Sequence, residues 1–174
     1  MTFQSTVNRV NTYGIQGDTA NGQVPHYTPT TPRVAASQTV YAGDFVWVTD
    51  VNGVATCSKA GTGKPAGIVQ RVLDAPNYTI TSEGTLQIPA GRTAQVVVWG
   101  DMFVKTTNSA AVGNKIFVNN TTGEIKAGAA GGSVASSTET DWVIVSLANN
   151  AASATGSVVI VSNVAGSVTY SAQS

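Results

Sequence analysis

Short β-branched and aromatic runs alternate with tight-turn residues along most of this sequence, and that alternation restricts it to β-structure. Phe45-Val46-Trp47-Val48 is bounded by Gly43 on one side and by Asp50-Val51-Asn52-Gly53 on the other. β-branched and aromatic residues suit a pleated strand, and Asn-Gly accepts the positive φ of a tight hairpin turn. Further strands are predicted at Val40-Tyr41, Gly67 to Leu73, Leu86 to Ile88, Met102 to Val104, Lys115 to Val118, Glu124 to Lys126, Asp141 to Leu147 and Ser157 to Val161. Ala94 to Trp99 is almost wholly apolar, so this strand is expected to be central and covered on both faces. Gly128 to Ser137 reads as a flexible loop, and Asn149 to Thr155 as a loop or a single helical turn. No stretch long enough for a helix combines a 3.6 period with caps. The expected fold is all-β: a β-sandwich or barrel-like body, jelly-roll or tulip-like, with an extended N-terminal arm.

The arm is predicted over residues 1–37, ahead of a body over 38–174. Gly14, Gly17 and Gly22 interrupt regular structure, and Pro25, Pro29 and Pro32 follow closely. Proline fixes its own φ and restrains the residue before it, so Thr28 to Pro32 favours an extended path. Apolar residues are too sparse there to bury much against one another, which fits disorder or ordering on a partner. Fully extended, such an arm spans at most ~120 Å at ~3.3 Å per residue.

One segment echoes another. Gly43-Asp44-Phe45-Val46-Trp47-Val48-Thr49-Asp50, running on to Gly53, aligns without gaps on Gly113-Asn114-Lys115-Ile116-Phe117-Val118-Asn119-Asn120, running on to Gly123. The hairpin units at 43–55 and 113–125 are either ordinary hairpins that share turn chemistry or copies of one β unit. Two copies do not make a solenoid.

Composition narrows the chemistry. Charged residues make up 10% of the chain, and nine basic side chains balance nine acidic ones. Net neutrality removes a common safeguard of dispersed proteins and suits a component of an assembly. The lysines and arginines are scattered singly, whereas phosphate recognition groups them on one face, so no nucleic-acid partner is expected. A lone cysteine, Cys57, cannot form an intrachain disulfide and is read as a buried, inert thiol. The N-terminus has no signal-peptide layout, and no run of about 18 apolar residues suggests a membrane span.

His26 is the sole histidine, so a histidine-based triad or a histidine-rich zinc site cannot be assembled. Neither a metal nor another cofactor is expected. The acidic residues sit mostly beside Gly or Asn, where carboxylates shape turns, rather than in a pattern that predicts a catalytic pair. Gly61-Thr62-Gly63-Lys64-Pro65 hints at a phosphate loop, but proline replaces the hydroxyl residue after the lysine and no helix follows. The tryptophans fall within predicted strands, where core packing is the expected role. No enzymatic activity is predicted.

Several motifs, in order, resemble the head cement (capsid decoration) proteins of tailed bacteriophages. Phe3-Gln4-Ser5-Thr6-Val7 is similar to the family's F-Q-x-x-V opening, and Gly14-Ile15-Gln16-Gly17-Asp18 to a G-h-x-G-D turn, h being apolar. Gly43-Asp44-Phe45-Val46-Trp47 looks like its G-x-F-x-W strand, and Gly67-Ile68-Val69-Gln70-Arg71 like its G-F-V-x-R with Ile68 in place of the aromatic. The paired strands from Ile88 to Val104 also match its pattern. The resemblance runs over about residues 1–147.

It implies a virion structural protein on the outer capsid surface, made in the host cytoplasm, that clamps neighbouring major capsid proteins against the pressure of packaged DNA. The implied partners are the major capsid protein and further copies of the chain, as a homotrimer or alternatively a homodimer, with no nucleic acid and no membrane. Phe3, Val7, Arg9, Tyr13, Ile15 and Asp18 are the candidate partner-binding residues: apolar anchors for grooves or strand addition, with Arg9 pairing to a capsid carboxylate. The competing reading is a host-glycan-binding tail or fibre module, which would need Trp47, Trp99 or Trp142 exposed. Deleting residues 2–20 is expected to leave the body folded and to weaken capsid binding. Undiminished co-sedimentation with heads would remove the arm's assigned role.

Overall fold

The computed structural model describes residues 14–22, 24–72, 79–80, 86–147 and 156–164. Every element in them is a strand: β1 (His26–Tyr27), β2 (Arg33–Val34), β3 (Thr39–Tyr41), β4 (Phe45–Val51), β5 (Val54–Ser58), β6 (Gly67–Val69), β7 (Thr79–Ile80), β8 (Leu86–Pro89), β9 (Val96–Trp99), β10 (Asp101–Lys105), β11 (Lys115–Asn119), β12 (Ile125–Gly128), β13 (Ser137–Leu147) and β14 (Val158–Ser162). The chain is thus all-β, as the strand and turn pattern predicts. Asn149 to Thr155, and Leu73 at the end of one expected strand, lie outside the described residues.

The strands form three sheets, ordered β1-β9-β6-β4-β5-β2, β10-β14-β13-β11-β12 and β3-β8-β7. All pairings are antiparallel except β2 with β5. The six-stranded sheet curls. Its last strand, β2, also reaches the segment leading into β9: Val34 N–H donates to Arg92 O, Gly91 N–H to Val34 O and Ala94 N–H to Pro32 O. The outcome joins both expected shapes, a barrel-like curl with a second sheet packed on its outside.

Strict alternation on β4, β6 and β9 explains why these strands read as apolar runs. Phe45, Trp47, Ile68 and Val97 face the five-stranded sheet and meet Met102, Val104, Ile116, Val118, Trp142, Ile144, Val159 and Val161. Their neighbours Val46, Val69 and Val96 point the other way, into a second core with Val34, Val40, Cys57, Ile88 and Ala94. Successive side chains leave a strand on opposite faces, so a layer buried twice needs apolar residues at every position. On β9 the double covering holds for Val96 and Val97, while Val98 and Trp99 are half-buried.

The repeat in sequence is a repeat in structure. Gly43 and Gly113 take left-handed φ values of 85° and 88°. Each opens the same exchange: Gly43 N–H donates to Val69 O and Val69 N–H to Asp44 O, while Gly113 N–H donates to Ile144 O and Ile144 N–H to Asn114 O. Below each turn β4 pairs with β6, and β11 with β13, in equivalent register: Phe45 opposite Ile68, Lys115 opposite Val143. The hairpins diverge further out. β4–β5 turns on Asn52-Gly53, whereas β11–β12 closes over the longer segment 119–124. The copies also bury opposite parities. Phe45 and its alternates face the shared core, but the aligned Lys115 does not, and Ile116 and Val118 take that place.

The described residues between 14 and 37, read in the sequence as part of an arm, make sheet contacts. Thr19 bridges Met102, β1 pairs with β9, and β2 with β5. The path is extended, as the prolines require, and its backbone groups find sheet partners because extended backbone presents them to any open edge. The glycine- and alanine-rich loop between β12 and β13 is likewise held. Gly131 N–H donates to Glu139 Oε2 at 2.8 Å, and Asn120 N–H to Ser136 O at 2.9 Å.

Phe45→Ala should cost ~3–5 kcal/mol and Ile88→Ala ~2–5 kcal/mol, because each leaves a cavity in a different core. Lying in separate cores, the two losses should add to within ~0.5 kcal/mol. Urea unfolding of both single variants and the double variant checks this; a strongly non-additive double variant would mean that the cores are not independent.

Candidate functional site

Of the predicted partner-binding residues, Phe3, Val7, Arg9 and Tyr13 lie outside the described residues. Ile15 and Asp18 sit on a strap along the outer edge of β10. Asp18 N–H closes a turn onto Ile15 O at 3.0 Å. Gly17 N–H then donates to Phe103 O, Phe103 N–H to Asp18 O, and Ala20 N–H to Asp101 O. Gly14 has φ 68°, and any side chain there would run into the Phe103 ring. Ile15 stays 43% exposed and free to touch a partner. Asp18 is less free: Arg71 Nη1 lies 3.5 Å from its carboxylate, and Arg71 N–H donates to Gly17 O.

Beside the strap lies a cleft of about 450 Å³, lined by Gln16, Asp44, Lys59, Lys105, Thr107 and Glu124 among others. Asp44 is its most buried ionisable group. Its carboxylate accepts from Tyr41 N–H at 2.8 Å and pairs with Lys59 Nζ at 3.0 Å. Lys59 also lies over the Tyr41 ring. Burial pushes the Asp44 carboxyl above its ordinary value of 3.8, outweighing the pull of Lys59 and the Tyr41 N–H. Glu124 moves the other way, its carboxylate favoured by the Thr107 hydroxyl at 2.8 Å and by Lys126 at 3.2 Å.

Every carboxylate among the described residues has a structural occupation. Asp50 Oδ1 accepts from Gly53 N–H at 2.8 Å, and Asp101 Oδ2 from the Asn21 side chain at 3.0 Å. Glu139 holds the loop at Gly131, and Asp141 pairs with Lys64 at 2.7 Å. Asp74 and Glu83 lie outside the described residues. The Cys57 thiol is 1% exposed, and burial pushes its pKa up to about 11, a setting that suppresses the thiolate.

Two of the three tryptophans pack inward. Trp47 and Trp142 are buried, Trp142 sitting edge-on to Phe45 at 6.2 Å. Trp47 Nε1–H donates to Gly63 O at 3.0 Å, so the turn resembling a phosphate loop covers a tryptophan. Half-buried Trp99 carries the His26 ring at 4.7 Å.

Comparison with known proteins decides what kind of molecule this is. The family model for the XM1 gp53 minor capsid protein matches residues 3–163. The chain belongs to the XM1 gp53 minor capsid protein family. A solved structure, the capsid of Myoviridae phage XM1, contains a chain of the same fold: TM-score 0.54, 16% identity, covering 94% of this chain and 98% of that one. No curated protein matches. Membership in the XM1 gp53 family gives the chain a structural role in a phage capsid and places it in the virion.

One exposed surface lay outside the sequence-based candidates. Beyond the reach of β6 and β2, β4 and β5 continue as a two-stranded ribbon. Residues 49–54 are all exposed there, and Val51 and Val54 stand opposite each other at 52% and 48% exposure. The signal in sequence was two valines flanking Asn52-Gly53, where turns usually carry polar neighbours.

The raised Asp44 value has a defined sign. The folded chain binds this proton more tightly than the unfolded chain, so stability falls as pH rises from 3.8 to the raised folded value and is level above it. Asp44→Asn removes that slope. Urea unfolding across pH should show the wild type losing stability relative to Asp44→Asn as pH rises through this window; a gap that is constant or reversed would contradict the assignment.

Proposed function

We infer that this capsid protein acts as a cement or decoration protein: it binds the outer surface of a phage head and clamps neighbouring major capsid proteins against the pressure of packaged DNA. The observation that carries this reading is the match of nearly the whole chain to a minor capsid family. The body supports it. Its two cores give a stiff block, and its described carboxylates and its thiol serve folding, which favours a non-enzymatic role. A stiff block spanning subunit joints raises the energy needed to part them. Each copy adds buried interface, on the order of 1,000–2,000 Å², and repetition on a lattice raises the effective affinity.

In this reading the major capsid protein is the partner, with further copies of the chain as a homotrimer or, second, a homodimer; nucleic acid and membranes take no part. Phe3, Val7, Arg9, Tyr13 and Ile15 reach the neighbours, and Asp18 fixes the base of the arm through Arg71. The glycan-binding alternative needs a tryptophan platform, and the packing of Trp47, Trp99 and Trp142 does not favour it.

The test uses heads lacking this protein, mixed with the purified chain at controlled salt. The wild-type chain should co-sediment with the heads and raise their rupture temperature. A chain lacking residues 2–13 should keep its unfolding midpoint and bind at least about tenfold more weakly, a loss of ~1.4 kcal/mol. Heads that bind the chain without gaining resistance to rupture would rule out clamping; equal binding by the truncated chain would rule out the arm.

A further inference from the structure

We propose that Asn21 is a site of spontaneous deamidation, and that its conversion to a carboxylate facing Asp101 releases the strap from β10. The inference concerns the chain's own chemistry and stands apart from the capsid-binding reading. Asn-Gly occurs twice in the sequence, at Asn21-Gly22 and Asn52-Gly53. In such a pair the glycine amide nitrogen attacks the side-chain carbonyl carbon of the asparagine, because no Cβ on the glycine hinders the approach. The N–Cγ bond forms and the Cγ–Nδ2 bond breaks. The proton lost by the glycine nitrogen leaves with the side-chain nitrogen as ammonia. Water then opens the cyclic imide at either carbonyl, giving aspartate or its backbone-shifted isomer. No oxidant, reductant or other co-reactant enters.

The two pairs are built alike but held differently. All four residues are exposed and left-handed, with φ of 57° and 66° at 21–22 and of 54° and 79° at 52–53. At 52–53 the nucleophile is engaged, since Gly53 N–H donates to Asp50 Oδ1 at 2.8 Å. That turn also closes the continuous ladder of β4 with β5, which runs from Val51 opposite Val54 to Trp47 opposite Ser58. At 21–22 the side chain is held instead, through Asn21 Nδ2 donating to Asp101 Oδ2 at 3.0 Å. Among the described residues no acceptor meets Gly22 N–H. The flanking anchors are slight: Thr19 makes an isolated bridge to Met102, and β1 is two residues long. Local opening is easier where fewer contacts must break, so Asn21 reacts before Asn52.

The product has a defined consequence. Asp101 is buried at 7% exposure, and Asn21 supplies its carboxylate with a donor. Deamidation replaces that donor by a second carboxylate. The hydrogen bond is lost, and two like charges face each other with little solvent between them. The adjacent bonds open with it: Ala20 N–H to Asp101 O, and the bridge from Thr19 to Met102. Each event also adds a negative charge to a chain whose formal net charge is zero.

The purified chain, kept at mildly alkaline pH and digested at intervals, reports both sites by mass spectrometry. In the folded chain Asn21 should convert at least about threefold faster than Asn52, and in urea the two rates should converge. Equal rates in the folded chain, or faster conversion at Asn52, overturn the assignment of the site. Asn21→Asp stands in for the aspartate product. Its Ala20 N–H should exchange with solvent at least about tenfold faster than in the wild type, the scale of one lost charge-assisted hydrogen bond. Asn21→Asp/Asp101→Asn swaps the two groups and again sets an amide donor against a carboxylate, so protection should return. Wild-type exchange at Ala20 in Asn21→Asp, or a double variant no better protected than the single one, overturns the release of the strap. If Asn21→Asp does not fold, recovery of the fold in the double variant supports the same contact, and failure to recover it counts against the proposal.

Discussion

Double-sided burial of β4, β6 and β9 is the constraint on which the rest of this structure depends. Phe45 and Ile68 serve one core while Val46 and Val69 serve the other, so each short strand works twice. A three-residue strand such as β6 has too few hydrogen bonds to hold by itself; here all its positions are buried. The same sheet curls back through β2 to the approach to β9, which encloses the smaller core, while its convex face supplies half of the larger one.

The likeness of the two hairpins and the layering are connected. The glycine turns at 43 and 113 make the same hydrogen-bond exchange, yet the aligned strands bury opposite faces. One unit lays its Phe45 and Trp47 face on the Ile116 and Val118 face of the other, so the repeats are stacked in the same sense instead of mirrored across a shared core. The leftover face of the second unit is partly closed by the end of β12 and the loop after it: Phe117 is 2% exposed, and a side chain on Gly128, beside Val134 of the loop, would crowd its ring. That loop reads as flexible from its glycine and alanine content, but a covering role needs small residues for the same reason.

Sheet edges are consumed as well. Residues 17–20 pair along β10, while Asn108 and Thr107 cap β12, Asn108 exchanging hydrogen bonds with Ala127 at 2.8 and 2.9 Å. Open edges invite indiscriminate pairing, and a neutral chain has little charge repulsion to prevent it. With these two edges covered and the described carboxylates committed to turns and pairs, the strap leaves Ile15 exposed and the ribbon leaves Val51 and Val54 exposed.

The sequence by itself determined the all-β class, most strand positions, the hairpin at Asn52-Gly53, the inert Cys57 and the absence of a histidine-based triad. These follow from local rules, namely period-two burial, turn conformations and residue counts. The family resemblance also put Ile15 and Asp18 on one turn. Tertiary structure decided what depends on contacts distant in sequence. That β10 would capture residues 17–20 required an edge 80 residues away, as does the bond from Asn21 to Asp101. That Asp44 would be buried beside Lys59, and that Val51 and Val54 would be left outside, depended on where the neighbouring strands stop. Local pattern tells which face of a strand is apolar, but only the packed sheets fix which apolar residues are covered and which remain exposed.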